Sequence, residues 1–392
     1  MFPLLLTAGA PPRDRLEALG LAALVGLVAT TQFSIAAAQI LFGLAVVCWL
    51  ASHVSRTEPL EAPAFFWPLV GYAALTLVSA GFSIDPATSF VDCKQLLLFL
   101  LVPVVYDLAR GPRAEGLLTV VLTIGALSAF VGIVQYGVLN YDTLGRRLQG
   151  TLSHWMTYSG TLMLVICASL ARLLYGQRER LWAAFVLPAL MVSLALTLTR
   201  GAWIGAAAGA GAILLTRDLR LTALIPLVAA VGIAVAPEAL TTRVQSIVDM
   251  NDPTNRDRLA MLQAGVAIVG DRPLTGVGPD MVGAVYPDYR VVSAVQADNP
   301  HLHNVPMQIA AERGVPALIA WVAFVVVALA GLWRLLRDPR VRPLAAAGLG
   351  AVVAMLTAGL FEYNFGDSEF LMLLLVLLTL PFAAGRDGRL PR

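Results

Sequence analysis

Two imidazoles stand two residues apart in Asn299-Pro300-His301-Leu302-His303-Asn304, inside the longest polar stretch of an otherwise apolar chain. A neutral imidazole accepts a proton near neutral pH, so a histidine here is a candidate general base. Asn304, Gln308 and Glu312 follow at four-residue spacing and would line one polar face of a short helix. Pro306 suits the first turn of that helix, and Gly314 with Pro316 separates it from the next apolar run. His303 then sits at or just before a helix N-terminus, where the positive end of the dipole disfavours imidazolium. Two other readings stand beside catalysis by His303. Both histidines can be metal ligands, although a third ligand of suitable type is not nearby, or both can be structural hydrogen-bonding residues, which suits His301 better.

Arginine is the other residue type with chemistry to offer. Arg243, Arg256, Arg258, Arg272 and Arg290 lie between Pro237 and Gly314, and Arg146, Arg147 and Arg200 precede them. The planar guanidinium matches phosphate oxygens and stays charged, so such a group points to an anionic, phosphate-bearing ligand. Each arginine is also readable as a solvated side chain. Arg200 fits that second reading least, because Thr197-Leu198-Thr199-Arg200-Gly201-Ala202-Trp203 is a hairpin with hardly any loop.

The elements that must hold these residues are short. Leu240, Val244 and Ile247 predict an amphipathic helix over 238–250, lying on the membrane or on other helices. A second helix is predicted from an N-cap at Thr254, with Leu259, Leu262, Val266 and Val269 as its apolar stripe and Asp271-Arg272-Pro273 as its stop. Pro273-Leu274-Thr275-Gly276-Val277-Gly278-Pro279 reads as a turn whose glycines let a ligand approach the main chain. Tyr286, Tyr289 and Arg290 suit stacking on sugar rings or binding phosphate, and are equally ordinary in a loop that packs on itself.

Everything else is membrane-like. The chain has 392 residues, 58% hydrophobic and 13% charged, against ~25% charged in soluble domains, and its mean hydropathy is +0.77. Taking ~20 apolar residues per span, helices are predicted near 16–32, 34–52, 64–81, 91–109, 115–138, 156–175, 181–198, 201–216, 221–236, 316–336, 343–362 and 369–385, about twelve in all. Arginines fill the connectors of one side, from Arg13 and Arg15 through Arg56, Arg110, Arg113, Arg178, Arg180, Arg217, Arg220 and Arg334–Arg342 to the C-terminal arginines. By the positive-inside rule both termini are therefore expected in the cytoplasm. The opposite connectors, such as 82–90 and 361–368, carry acids or no charge. The nominal net charge of +2 says nothing about nucleic acid, and no nucleic-acid partner is expected. Cys48, Cys93 and Cys167 have no zinc-like spacing and read as packing residues, as do Gly201, Gly205 and Gly209. Trp155 and Trp203 read as belt residues at helix ends. Met1–Ala10 lacks a charged leading region, so the chain is expected to be mature as it stands.

The elements Thr199-Arg200-Gly201-Ala202-Trp203, Arg258 upstream of Pro273–Pro279, and His303-Asn304 followed by Gln308, Glu312 and Gly314 resemble those of the O-antigen ligase and polymerase family of bacterial envelope glycosyltransferases. Gly150-Thr151-Leu152-Ser153-His154 is similar to that family's shorter outward motif, beside Arg146 and Arg147; the tryptophan of many members is Leu262 here. The resemblance covers the span pattern and is most specific over 256–316. It implies an all-α polytopic membrane protein of GT-C-like type, one transmembrane domain over 1–392, with a periplasmic catalytic loop at 237–314 between the ninth and tenth transmembrane helices. The implied activity, on the periplasmic side of the bacterial inner membrane, is metal-independent, inverting transfer of a glycan from undecaprenyl diphosphate to the lipid A core of lipopolysaccharide, with no cofactor. His303 would be the base, and Arg258 and Arg200, helped by Arg256, would hold the diphosphate. Arg146, Arg147, His301, Asn304, Gln308 and Arg290 are further candidates for substrate binding. A polymerase of the same family differs only in its acceptor. A lipid-linked glycan transporter is the alternative of another class; it would be expected to carry charged or polar residues at mid-bilayer depth, whereas these spans are nearly clean of charge.

Overall fold

The computed structural model describes residues 12–56, 59–139, 148–152, 154–176 and 179–388. Regular structure among them is helical throughout. In chain order the helices are α1 (Arg15–Thr30), α2 (Ile35–Arg56), α3 (Phe66–Gly81), α4 (Pro86–Leu108), α5 (Pro112–Gly137), α6 (Trp155–Tyr175), α7 (Arg180–Leu196), α8 (Arg200–Arg217), α9 (Leu219–Ala234), α10 (Glu238–Gln245), α11 (Pro253–Asp271), α12 (Val282–Tyr289), α13 (Val305–Leu335), α14 (Arg342–Ala358) and α15 (Ser368–Ala384). A helix falls on each apolar stretch expected from the sequence. Among the described residues α2, α4, α5, α6 and α13 are long and apolar enough to cross a membrane, and α3, α7, α9, α14 and α15 are shorter apolar helices. The chain is accordingly a multi-pass membrane protein.

Small residues decide how the helices meet. Helix α8 lies along α6 and α14, and a Cβ on Gly205 would stand 2.5 Å from Met163 Sδ and 2.9 Å from the Ala354 carbonyl oxygen. A Cβ on Gly209 would stand 2.6 Å from Cys167 Sγ. In lipid there is little hydrophobic drive between helices, so such close approach supplies the packing. Cys48, Cys93 and Cys167 are buried and unpaired, as packing residues should be.

Charge gathers at the two ends of the bundle. At one end the buried Glu17 of α1 meets Arg110, Arg113 at 2.9 Å and Arg56 at 3.2 Å, while Arg386 reaches Asp107 at 3.0 Å. Arg56, Arg110, Arg113 and Arg386, which the arginine count put on one side, thus share one network. The other end carries the 235–304 segment and the connector between α14 and α15.

Within that segment α11, α12 and the start of α13 enclose a second apolar cluster that includes Met261, Ala264, Ile268, Val282, Tyr286 and Leu302. Three expectations change here. Asp252, rather than Thr254, caps α11, its Oδ1 accepting from the Thr254 and Asn255 amides with Pro253 in the first turn. The stripe of Leu259, Leu262 and Val266 faces outward, and only Val269 of that set joins the cluster. Ala260, Ala264 and Gly265 turn inward instead, because only small residues let α11 approach α13: a Cβ on Gly265 would lie 2.5 Å from Met307 Cγ. Helix α10 ends at Gln245, five residues short of its expected end at Met250.

The glycine turn also has another use. Val277 and Gly278 amides donate to the Ala311 and Glu312 carbonyls, both at 2.9 Å, and Val315 N donates to Pro273 O at 2.8 Å. A Cβ on Gly276 (φ 66°) would sit 2.3 Å from the Glu312 carbonyl carbon. The turn admits a protein backbone, not a ligand, and it braces α13 where Gly314 (φ 80°, ψ 166°) breaks the helix.

Candidate active site

Arg258 lies in the second turn of α11 and points towards the connector between α14 and α15. Its Nη2 is 2.5 Å from Glu362 Oε1, and Glu362 Oε2 is 3.0 Å from His303 Nδ1. One buried carboxylate therefore links the arginine of one element to the histidine of another. Burial pushes the Glu362 carboxyl up, but the hydrogen bond to His303 and the charge of Arg258 outweigh it and hold the group below its ordinary range. Burial, and then the neighbouring Arg200, lower the Arg258 pKa against the pull of Glu362; a guanidinium stays charged regardless. An ionised carboxylate only accepts, so Nδ1 carries the hydrogen, and Nε2 is the nitrogen of the neutral ring that can accept a proton.

The loop that presents His303 is pinned on both flanks. Leu302 N donates to Gln308 Oε1 at 2.6 Å, Asn304 Oδ1 caps α13 by accepting from Met307 N at 2.9 Å, and Asn304 Nδ2 donates to Leu360 O at 3.2 Å. Val305 N donates to Gly359 O at 2.6 Å, tying the same loop to the connector that carries Glu362. His303 itself has φ 48°, a left-handed conformation that costs a non-glycine residue of order 1–3 kcal/mol. Its surroundings supply that cost through these bonds, and the ring is aimed as a result.

Arg200 opens α8 and is buried. Its Nη1 donates to Ser246 O at 2.6 Å and to Ser246 Oγ at 2.9 Å, and its Nη2 meets Asp252 Oδ1 at 3.1 Å. Burial raises the Asp252 pKa, yet the bond and charge of Arg200 prevail and the carboxyl titrates below its usual value. Arg243 Nε donates to Leu198 O at 3.2 Å. Arg200, Arg243, Arg258, His303 and Glu362 line a cavity of about 90 Å³. The sequence-predicted Arg200, Arg258 and His303 are thus brought together.

A second cavity, of about 220 Å³, shares Met156, Thr199 and Glu362 with the first. His154, Thr157, His301, Asn364 and Asp367 are among its lining residues. The His301 ring stands edge-on to His303, with centroids 4.1 Å apart. Burial, then repulsion from His303, pushes the His301 imidazole down to about 4, so it is neutral near pH 7.

The remaining candidates fall elsewhere. Arg256 and Arg290 are exposed and line neither cavity, and Arg290 donates to Ala294 O at 3.4 Å. Two positions from Arg258 is about 200° around a helix, which is why Arg256 turns away. Gln308 is buried and holds the histidine loop, as Asn304 does. Arg146 and Arg147 lie outside the described residues. Among the described residues no three His, Cys, Asp or Glu side chains gather as metal ligands.

Glu362, Asp367, Arg243 and His154 were not singled out as site residues from sequence. Glu362 had one legible signal, a carboxylate in a short connector on the side where the unexplained arginines gather. Its fit against α8 also needs Gly201, where a Cβ would stand 3.3 Å from Glu362 Cγ. Residues 183–322 match the family model described as O-antigen ligase. That span contains Arg200, Arg258 and His303, whereas Glu362 comes from beyond it. No curated protein matches the chain.

Proposed function

From the O-antigen ligase family segment that the chain carries at residues 183–322, we propose that the protein transfers a glycan from undecaprenyl diphosphate to the lipid A core of lipopolysaccharide. In this reading about twelve helices cross the bacterial inner membrane in a GT-C-like arrangement. Both termini are cytoplasmic, and the 237–314 loop is the catalytic element on the periplasmic side. Supporting that orientation, Arg56, Arg110, Arg113 and Arg386 meet at the end opposite the candidate site.

The observation that carries the reading is the Arg258–Glu362–His303 linkage. Acceptor oxygen attacks the anomeric carbon as its proton passes to His303 Nε2, and the carbon–oxygen bond to the diphosphate breaks with its electron pair leaving on phosphate. Attack opposite the leaving group inverts the anomeric centre. Arg258, with Arg200 and Arg243 in the same cavity wall, stabilises the diphosphate as charge develops, an effect worth ~3–4 kcal/mol for one well-placed donor. Glu362 fixes the ring and stabilises the imidazolium that forms. Gln308 and Asn304 act as positioning residues. Guanidinium groups take the part that a divalent cation has elsewhere, so the reaction proceeds without metal.

The test is purified protein mixed with undecaprenyl-diphosphate-linked glycan and lipid A core, with product resolved on a gel. Wild-type protein should yield a covalent product that survives EDTA, and His303→Ala at equal abundance should lose about 10²–10⁴-fold in rate. Elongation of carrier-linked glycan in place of lipid A core modification would make the protein a polymerase. A transporter would form no product, and a strict need for Mg²⁺ or Mn²⁺ would overturn the arginine scheme.

A further inference from the structure

The 220 Å³ cavity differs in chemistry from its neighbour. Among the described residues its lining has neither arginine nor lysine and instead adds Asp367 to Glu362, so a diphosphate would meet no counter-charge from them. The adjoining 90 Å³ space carries Arg200, Arg243 and Arg258. Two of the larger cavity's lining residues, His301 and Asn364, have a buried atom without a hydrogen-bond partner, Nδ1 and Oδ1 respectively. Such an atom costs ~1–3 kcal/mol while it stays unsatisfied. Sugar hydroxyls, which both donate and accept, suit atoms of this kind. The Thr157 hydroxyl donates to Asp367, whose carboxylate retains further lone pairs. Tyr363 and Phe370 are among the same cavity's lining residues, and aromatic side chains suit the C–H face of a pyranose.

The position of the cavity decides which sugar. In an in-line displacement the nucleophile enters opposite the leaving group, so the acceptor cannot approach through the arginines that hold the diphosphate. It must reach the base from another side, and the space that borders Glu362 and His301, with no arginine among its described lining residues, offers one. We propose that this cavity is the acceptor subsite, taking a neutral pyranose ring through Asn364, His301, Thr157 and Asp367 and delivering one of its hydroxyls to His303. This assignment rests on the transfer reading above. In the step, the acceptor O–H proton passes to His303 Nε2, the new carbon–oxygen bond forms, and the diphosphate departs with the electron pair of the broken bond.

Full-length protein in detergent is assayed by varying lipid A core at saturating undecaprenyl-diphosphate glycan, and then the reverse. Loss of one hydrogen bond of about 1 kcal/mol should raise the acceptor KM about fivefold in Asn364→Ala, with the donor KM within about twofold of wild type. Asn364→Asp, which keeps an oxygen at that position, should restore much of the acceptor KM. If Asn364→Ala cannot be recovered from the membrane, Thr157→Val makes the same test. A rise in donor KM alone would assign the cavity to the donor glycan and overturn the proposal, as would no change in either constant. Absence of any product from wild type would sink the transfer reading, whereas transfer with unaltered acceptor KM in the variants would sink only the cavity assignment.

Discussion

Glu362 accepts from Arg258 and from His303 at once, Oε1 at 2.5 Å and Oε2 at 3.0 Å. The carboxylate comes from the connector before α15, the arginine from α11 and the histidine from the loop before α13, so three separate elements must be in register for the linkage to exist. Glu362→Gln offers Nδ1 a donor as readily as an acceptor and so favours the wrong tautomer. Its kcat should fall by about 10²–10⁴-fold, as when the orienting carboxylate of a catalytic histidine is made an amide, with little change in donor KM. A wild-type kcat would remove Glu362 from the mechanism.

Arg258→Ala leaves Glu362 buried without its cation. Removing one partner of a buried pair costs about 3–5 kcal/mol, so the melting temperature in detergent should drop and transfer should vanish together. Arg258→Lys keeps the charge but loses the planar fork. It should recover most of the melting temperature and little of the rate; full recovery of rate would mean that a point charge suffices.

Arg200 holds Ser246 and Asp252, and through them the segment between α10 and α11. In Arg200→Ala that segment should become an early site of proteolysis, measured by limited digestion of the purified protein. Asp252→Asn, which keeps the cap but not the ion pair, should show a smaller effect of the same kind. Equal digestion rates in all three proteins would leave Arg200 no part in anchoring the loop.

Gly314→Ala puts a Cβ 2.2 Å from Leu274 O at φ 80°. Left-handed strain alone is of order 1–3 kcal/mol, and the clash adds to it, so folded yield measured by fluorescence-detected gel filtration should fall sharply. Gly270→Ala, a site with open space around it, is the control and should express normally.

Stability should depend on pH in two windows. His301 titrates at about 4 when folded against 6.5 ordinarily, so the unfolded chain binds the extra proton and stability falls as pH drops from 6.5 towards 4. Glu362 is also depressed, below 4.5; its contribution is present above that value and is lost as pH falls through the folded one. His301→Gln should flatten the melting curve in the upper window and Glu362→Gln in the lower, read as melting temperature against pH. A slope unchanged in either variant would show that the group named does not govern it.

Much of this was legible because apolar run length and helix punctuation are local properties. The helix positions, the break at Gly314, the helix start beside His303 and the packing glycines of α8 follow from residues close together in sequence. The stripe on α11 misled because Leu259, Leu262 and Val266 have the right spacing but too much bulk for the close approach that Gly265 makes to Met307. The glycine turn misled similarly, since sequence shows that a backbone can be approached there without showing what approaches it.

Residue chemistry and spacing, then, were enough to determine a membrane-embedded helical chain and a polar segment that carries arginines and a histidine. Tertiary structure alone decided that Arg258 turns inward while Arg256 turns out, that Glu362 joins Arg258 to His303, and that two cavities of different charge meet at that carboxylate. The reason is separation along the chain: Arg258 and Glu362 are 104 residues apart, and only the packing of α8, α11, α13 and α14 fixes the distance between such groups.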